Sequence, residues 1–343
     1  MRLGVIFGSS STEHEVSVVS GYNVISNLDK KKYEVIPIYL DKNNNWYVCE
    51  KLQIEKFGEL PKKIKPIKNV FEFLKRLDCV FPVMHGKMGE DGSIQGFLEV
   101  FGIPYVGCNI LASSVCMDKI YTKAILKNIA YVSPDITIIK ENKDLYYYDN
   151  LKLVKKVNIK DIDKLINEKL QYPLFIKPSR FGSSVGVTKV KTGKFLKKAL
   201  LEALKYDNEV LIEKEIKGRE LECAVLCGKS LEVGEVLSAE EFYDYDAKYQ
   251  NEESKTVIPA NIPKEIKNNI KDIAELAFRA TNCKGLARVD FFLENKTNKI
   301  IINEINTMPG FTDISMYPKL AEAAGISYKK LLDILIKDAL KNK

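Results

Sequence analysis

The stretch LARVDFFLENKTNKIIINEIN, residues 286–306, reads as two apolar strands joined by a polar turn, and it constrains the fold more than any other part of the chain. Successive strand side chains point to opposite faces, so Arg288 and Asp290 share a face, as do Glu304 and Asn306. If the turn ENKTNK sets residue 290 opposite 304, then 288 falls opposite 306, and four polar groups gather on one face of an apolar hairpin. Two carboxylates and an amide oxygen in such a place suit one or two magnesium ions, hard cations that take oxygen ligands. A solvated polar stripe is the bland alternative on an antiparallel sheet. The adjoining TMPGF, whose sharp turn would bring the Gly310 N–H close, favours the metal reading.

The rest of the chain falls into three stretches around this hairpin. In residues 1–107, the strands RLGVIFG, YEVIPIYL and LDCVFPVMHG alternate with the helices VSVVSGYNVISNL and SIQGFLEVFG, and IPYVG closes the unit. Ile94, Phe97, Leu98 and Phe101 share one face of the second helix. Strands alternating with helices predict a parallel α/β layer. Residues 108–213 read as an α+β unit of order αββαβ. It has a helix in LASSVCMDKIYTKAILKNIA, a polar stretch with a helix in LYYYDNLKLVKKVNIKDIDKLINEKLQ, a hairpin in YPLFIKPSRFGSSVGVTKV, an amphipathic helix in KFLKKALLEALKYD and a strand in EVLIEKEI. Residues 214–343 hold the strands ELECAVLCG and SLEVGEVL, a polar aromatic loop over 238–258, a helix near 264–281, the 286–306 hairpin and a terminal helix. A chain of 343 residues, 45% hydrophobic, is long for one core and predicts two or three domains.

Several function classes drop out. The net charge of +7 is modest and lysine runs such as PKKIKPIK supply part of it; no basic stretch is interleaved with aromatics, which argues against nucleic acid, and a mild positive balance suits an anionic small substrate. The seven cysteines are scattered and form no CxxC, so reduced thiols in a cytosolic protein are expected rather than a disulfide framework or zinc. With only His14 and His85 present, a metal should be held by oxygen, magnesium first. The N-terminus runs straight into strand-like sequence, and no apolar run approaches membrane-spanning length.

Three further stretches carry chemistry. In FIKPSRFGSSVGVTKV, Lys177 lies in an apolar strand before a turn where Gly182 and Gly186 permit close approach and Ser183 and Ser184 add hydroxyl donors. This could cradle phosphate, with Lys177 as a point charge, although no GxxxxGK and no GxGxxG is present. On this stretch alone, a hairpin turn with one snorkelling lysine stands equally well. In GVIFGSSSTEHEVS, Thr12 with Glu15 and Ser10 with Glu13 both match a capping box. On spacing, two capping glutamates are the simpler reading; a glutamate left free at this strand edge would suit a substrate ammonium. His85 ends a strand before glycines at 86, 89 and 92, a place where a histidine can serve a site.

Taken together, GSSSTEHEVSVVSG, MHGKMGEDGSIQG, MDK, KPSRFGSSVGV, EFYDYDAKY, LARVDFF and NEINTMPGFTDISMYP resemble the D-alanine:D-alanine ligase family of the ATP-grasp superfamily, in family order from residue 4 to about 318. The resemblance implies an ATP-grasp fold behind an N-terminal α/β domain. ATP would be gripped between the central and C-terminal units, and the chain would act as a cytoplasmic homodimer serving peptidoglycan synthesis. It implies that D-alanine is phosphorylated by ATP to an acyl phosphate, which the amine of a second D-alanine attacks. By position, Lys119 and Lys177 would contact ATP phosphates with Ser184 nearby, Glu213 and Ile216 would meet the adenine, Glu220 the ribose, and Lys248 the γ-phosphate. Asp290, Glu304 and Asn306 would hold two magnesium ions, with manganese as a substitute; Arg288 and the Gly310 N–H would stabilise the oxyanion. Glu13 would bind the first ammonium, leaving Glu15 as the cap, and Ser315 would bind the second carboxylate. Glu13, Ser183 and Tyr249 would tie the mobile loop shut, and His85 and Met316 would border the substrates.

Vancomycin-resistance ligases, which join D-alanine to D-lactate or D-serine, share these motifs. Tyr249 in AKY argues against the D-lactate type, and apolar Met316, where an arginine is expected in the D-serine type, argues against that one. A non-catalytic ATP-binding module would be expected to lack a metal ligand or Arg288, and all are present. A dehydrogenase fails for want of a glycine fingerprint in the first unit.

Overall fold

A computed structural model describes residues 1–50, 52–54, 57–237 and 255–341. The first sheet holds β1 (Arg2–Gly8), β2 (Glu34–Leu40), β3 (Trp46–Cys49), β4 (Ile64–Pro66) and β5 (Cys79–Pro82), in the order β4-β3-β2-β1-β5. β1 runs parallel to both neighbours and is covered throughout its apolar run, which is why its sequence does not alternate. Tyr105 of IPYVG bridges Val80 in parallel. The layer is mixed rather than purely parallel, because β3 and β4 add antiparallel at one edge. These strands are only four and three residues long, too short to show a period.

The helix His14–Asn27 packs on β1 through Gly21, where a Cβ would lie 2.6 Å from the Phe7 ring. Neither expected capping box forms at its start. Glu13 occupies the N-cap position without a side-chain bond to the helix, its N–H donates to Ser11 Oγ, and Glu15 pairs with Lys42 at 2.7 Å.

The second sheet is antiparallel and holds β6 (Asp135–Glu141), β7 (Asp144–Asp149), β8 (Lys152–Val157), β9 (Leu174–Pro178), β10 (Thr188–Val190) and β11 (Glu209–Lys214), ordered β10-β9-β11-β6-β7-β8. The αββαβ order therefore needs correction: three strands, β6 to β8, precede the helix Ile159–Lys169. β8 is an edge strand exposed at all but its last residue, so it carries no buried face to read. The helical run after residue 108 is also two helices, Ile110–Met117 and Lys119–Leu126. Asp118 breaks it in extended conformation and caps the second helix, accepting from the Ile120 and Tyr121 N–H groups and from Ser179 Oγ.

The third sheet is antiparallel, with β12 (Gly218–Leu226), β13 (Lys229–Leu237), β14 (Lys255–Val257), β15 (Leu286–Glu294) and β16 (Ile300–Asn306) in the order β14-β13-β12-β15-β16. Arg288 lies opposite Asn306 and Asp290 opposite Glu304, the register expected from the sequence. A bulge follows, because Phe291 pairs with Ile302 and Asn303 is left over. The helix Lys264–Ala280 covers one face of this sheet. A helix over Met316–Ala323, not anticipated from the sequence, follows the TMPGF turn. Phe311 of that turn meets Phe81 of β5 edge-on at 5.7 Å, and Tyr317 donates to the Val225 carbonyl at 3.0 Å. The first sheet and the last third thus share one core, on which the turn is bedded.

Gly21→Ala should lower stability by about 1–2 kcal/mol net, because overpacking against Phe7 outweighs the gain in helix propensity. Urea unfolding would read this as a lower midpoint at unchanged slope; a midpoint equal to or above that of the parent would show that Phe7 yields.

Candidate active site

Two cavities share a wall where the three sheets meet. The smaller, about 120 Å³, is lined by Glu13, His85, Arg288, Asn306, Gly310, Ser315 and Met316. The larger, about 520 Å³, is lined by Lys177, Ser184, Glu213, Ile216, Glu220 and Asp290. Lys119, Ser183 and Glu304 border both. Every site residue expected from the sequence and lying among the described residues therefore borders one cavity or both. Lys248 and Tyr249 lie outside the described residues.

The dividing wall comes from three separate elements. Lys119 begins its helix and donates to the Phe181 carbonyl at 2.7 Å, holding the start of the Gly182–Gly186 turn. Burial, and then the neighbouring Lys177, draw the Lys119 ammonium below its ordinary value against the opposing pull of Glu304. Ser183 and Ser184 both take left-handed backbone conformations, φ 48° and 60°, uncommon for residues other than glycine. In that geometry the Ser183 hydroxyl donates to the Glu13 carboxylate, joining the middle of the chain to its first helix. A Cβ at Gly86, where φ is +68°, would meet Glu13 Oε2 at 2.5 Å, so that turn closes directly over the carboxylate.

On the acidic floor, the Arg288 guanidinium is bidentate with Asp290 at 2.7 Å and reaches Glu222 at 2.9 Å. Asn306 donates to the same Asp290 carboxylate at 2.9 Å. In the larger cavity, Lys177 contacts one Glu213 oxygen at 2.6 Å, and buried Lys123 takes the other. Burial pushes the Glu213 carboxyl up, but the two lysines together outweigh it and hold the group well below the usual carboxylate range. Lys177 is likewise lowered by burial, and Glu213 together with Glu304 and Glu220 outweighs this, so its net shift is upward.

His85 lies beneath the TMPGF turn, and both its nitrogens are engaged. Nδ1 is 3.0 Å from the Met308 carbonyl, and Nε2 is 2.8 Å from Ser20 Oγ, which in turn accepts the Phe311 N–H at 3.2 Å. A carbonyl can only accept, so Nδ1 carries the proton and Ser20 donates to Nε2. Burial lowers the ring's pKa and keeps this neutral form.

Sequence reasoning missed Glu222, Glu90 and Lys123. Glu222 stands two residues after Glu220 in GRELECAVL, so the same alternation that exposed Arg288 and Asp290 was available for it. Glu90 accepts from the Gly86 N–H at 2.8 Å and the Met308 N–H at 3.4 Å, tying two turns of the smaller cavity together. Burial, and then the Glu13 charge, push its carboxyl up to about 8. Nothing in GEDG marked it, since the burial comes from residues far along the chain.

The fold, with two sheets facing across a polar cleft behind an N-terminal α/β layer, is the ATP-grasp fold. Residues 2–108 match the model for the D-ala D-ala ligase N-terminus, and residues 142–337 that for the D-ala D-ala ligase C-terminus. The chain is 43% identical to a D-alanine–D-alanine ligase of Clostridium acetobutylicum, over 98% of this chain and 96% of that one. It is 42% identical to one of Caldicellulosiruptor bescii, over 99% and 95%. Among solved structures it superposes on the VanG D-Ala:D-Ser ligase of Enterococcus faecalis with TM-score 0.84 and 35% identity, covering 98% of this chain and 99% of that one. On a D-alanine–D-alanine ligase of Bacillus anthracis complexed with ATP, the TM-score is 0.76 at 34% identity, with 100% and 98% covered. The chain belongs to the D-alanine–D-alanine ligase family.

Glu90 should make stability depend on pH. Its folded pKa of about 8 lies above the ordinary 4.5, so its contribution is full below about pH 4.5 and is lost as the pH rises through about 8. Relative to Glu90→Gln, the parent protein should lose roughly 3–6 kcal/mol across that window. Denaturant titrations of both proteins at several pH values would show it, and parallel stability curves would contradict it.

Proposed function

We propose that this chain uses ATP to join two D-alanines into D-alanyl-D-alanine, with the nucleotide in the larger cavity and the amino acids in the smaller. The observation that carries the reading is the shared wall: Glu304, Lys119 and Ser183 border both cavities, so a carboxylate in one would meet a phosphate in the other. In-line phosphoryl transfer needs that placement and neutralised charge rather than covalent help from the protein.

The roles follow from what each group faces. Glu13, held by Ser183, offers a carboxylate to the first ammonium. Lys119 and Lys177 offer ammonium groups to the phosphates, and Glu213, Ile216 and Glu220 border the space for adenine and ribose. Arg288 and the Gly310 N–H face the reacting carboxyl, where negative charge grows as the second amine attacks. Ser315 lies beside that centre, its hydroxyl bonded to Thr312, and offers itself to the second carboxylate. His85 acts through the turn that carries the Gly310 N–H.

The acidic floor fits divalent metal. Asp290, Glu304 and Asn306 supply hard oxygens, and Glu222 adds a further carboxylate beside them, the donor chemistry that magnesium takes. We assign those three residues to two magnesium ions, whose charge would draw the phosphates in and balance the charge that develops during transfer. Among the described residues no helix is long and apolar enough to cross a membrane. On the family reading the chain works as a cytoplasmic homodimer supplying peptidoglycan precursor. For the domains we propose 1–107, 108–213 and 214–343, one sheet in each apart from the β11–β12 border.

The structural likeness to a D-Ala:D-Ser ligase keeps D-serine as the second reading for the second substrate. Met316 presents an apolar side chain to the smaller cavity, which suits the methyl of D-alanine better than a hydroxyl. Purified protein with ATP should release phosphate with D-alanine and not with L-alanine. Offered D-alanine, D-serine and D-lactate together, it should yield D-alanyl-D-alanine by mass; a predominant D-alanyl-D-serine product would move the assignment to the second reading.

Lys177→Ala should lower kcat/KM for ATP by about 100-fold or more, the scale of removing one preorganised charge from a phosphoryl-transfer site. Unchanged steady-state kinetics would take Lys177 out of the nucleotide site.

A further inference from the structure

We propose that Lys123, which borders neither cavity, is a positioning residue for nucleotide binding: it permanently neutralises Glu213, so that the charge of Lys177 is available to phosphate. The inference rests on the reading that Lys177 meets the nucleotide phosphates.

The geometry is a buried row of alternating charge. Lys123 is 3% exposed and lies on the helix Lys119–Leu126, behind the wall of the larger cavity. Its Nζ donates to the Ser133 carbonyl at 2.8 Å and to Glu213 Oε1, and Asp135 lies 3.7 Å away. Asp135 has its own nearer partner in Lys127, at 3.0 Å. Glu213 divides its two oxygens, Oε1 to Lys123 and Oε2 to Lys177 at 2.6 Å. Glu213 and Lys177 border the cavity, and of the two lysines in the row only Lys177 does.

The sum of charges decides what this row can do. Glu213 with Lys177 alone is a neutral pair and offers a phosphate little net attraction. With Lys123 the row is positive by one unit, and the excess lies at the cavity end. A phosphate must also compete with Glu213 for the Lys177 ammonium. A buried carboxylate that loses its only cation is left uncompensated at high cost, whereas one that keeps a second cation is not. Lys123 is fixed by the Ser133 carbonyl and faces no ligand space, so it stays with Glu213 whatever Lys177 does.

The test compares binding of ATP with binding of adenosine, which lacks phosphate, by the full-length protein. Lys123→Met should weaken ATP about ten-fold and leave adenosine within about two-fold, the scale expected for losing one nearby charge at a partly screened distance. In turnover, KM for ATP should rise with kcat and the KM for D-alanine little changed. Lys123→Met combined with Glu213→Gln removes the stranded carboxylate along with its partner, and should recover most of the ATP-to-adenosine ratio. Lys123→Arg, which keeps the charge, should hold that ratio near the parent value. Equal weakening of ATP and adenosine, or no recovery in the double variant, would make Lys123 a merely structural residue and overturn the proposal. Lys177→Met tests the underlying reading separately: if it leaves the ATP-to-adenosine ratio unchanged, Lys177 does not meet phosphate, whatever Lys123 does.

Discussion

The hydrogen-bonded register between β15 and β16 is the constraint on which the site depends. Setting Asp290 opposite Glu304 and Arg288 opposite Asn306 puts all four groups on the cleft side of the third sheet. A slip of one residue would send Asp290 and Glu304 to opposite faces, because strand side chains alternate. Asn306 would lose its bond to Asp290, and the acidic floor would lose Glu304. The bulge at Asn303 follows directly on the Asp290–Glu304 pair, and beyond it the partners shift by one, so the three pairs from Arg288–Asn306 to Asp290–Glu304 keep their own register.

That register was readable because polar residues stood at every second position of two apolar strands with a short turn between them. The long apolar run of β1 was readable for the opposite reason, since a strand covered on both faces has no period to lose. Elements without a buried face were not readable. β8 exposes five of its six residues, and the β7–β8 turn passes through Asn150 and Leu151, both left-handed, without the glycine that usually announces such a turn. The break at Asp118 was hidden because a capping aspartate inside a helical pattern looks like any polar helix residue.

The glutamates near the first helix show where spacing misleads. Two capping boxes fitted the letters, but the Glu13 N–H goes to Ser11, the Glu15 carboxylate goes to Lys42, and the Glu13 carboxylate is held by Ser183, 170 residues away. Local spacing cannot anticipate a partner brought in by the tertiary fold, and that partner decided which glutamate faces the cavity. The same holds for Glu90 and Lys123, which became distinctive only through burial against distant carbonyls, N–H groups and carboxylates. Glu222 differs, because its alternation with Glu220 was visible in the sequence.

A common arrangement runs through both walls of the cleft. Arg288 lies between Asp290 and Glu222, and Glu213 lies between Lys177 and Lys123. In each set one outer member, Asp290 or Lys177, is the candidate for metal or phosphate, and the shared central ion keeps a second partner if that one turns to a ligand. Without that second partner, recruiting Asp290 or Lys177 would strand a buried charge, at a cost of several kcal/mol. With it, recruitment exchanges one arm of a shared hydrogen bond, a change on the scale of a single charged contact. Substrate binding then need not overcome the site's own ion pairs, and more of its free energy remains for bringing carboxylate and phosphate together.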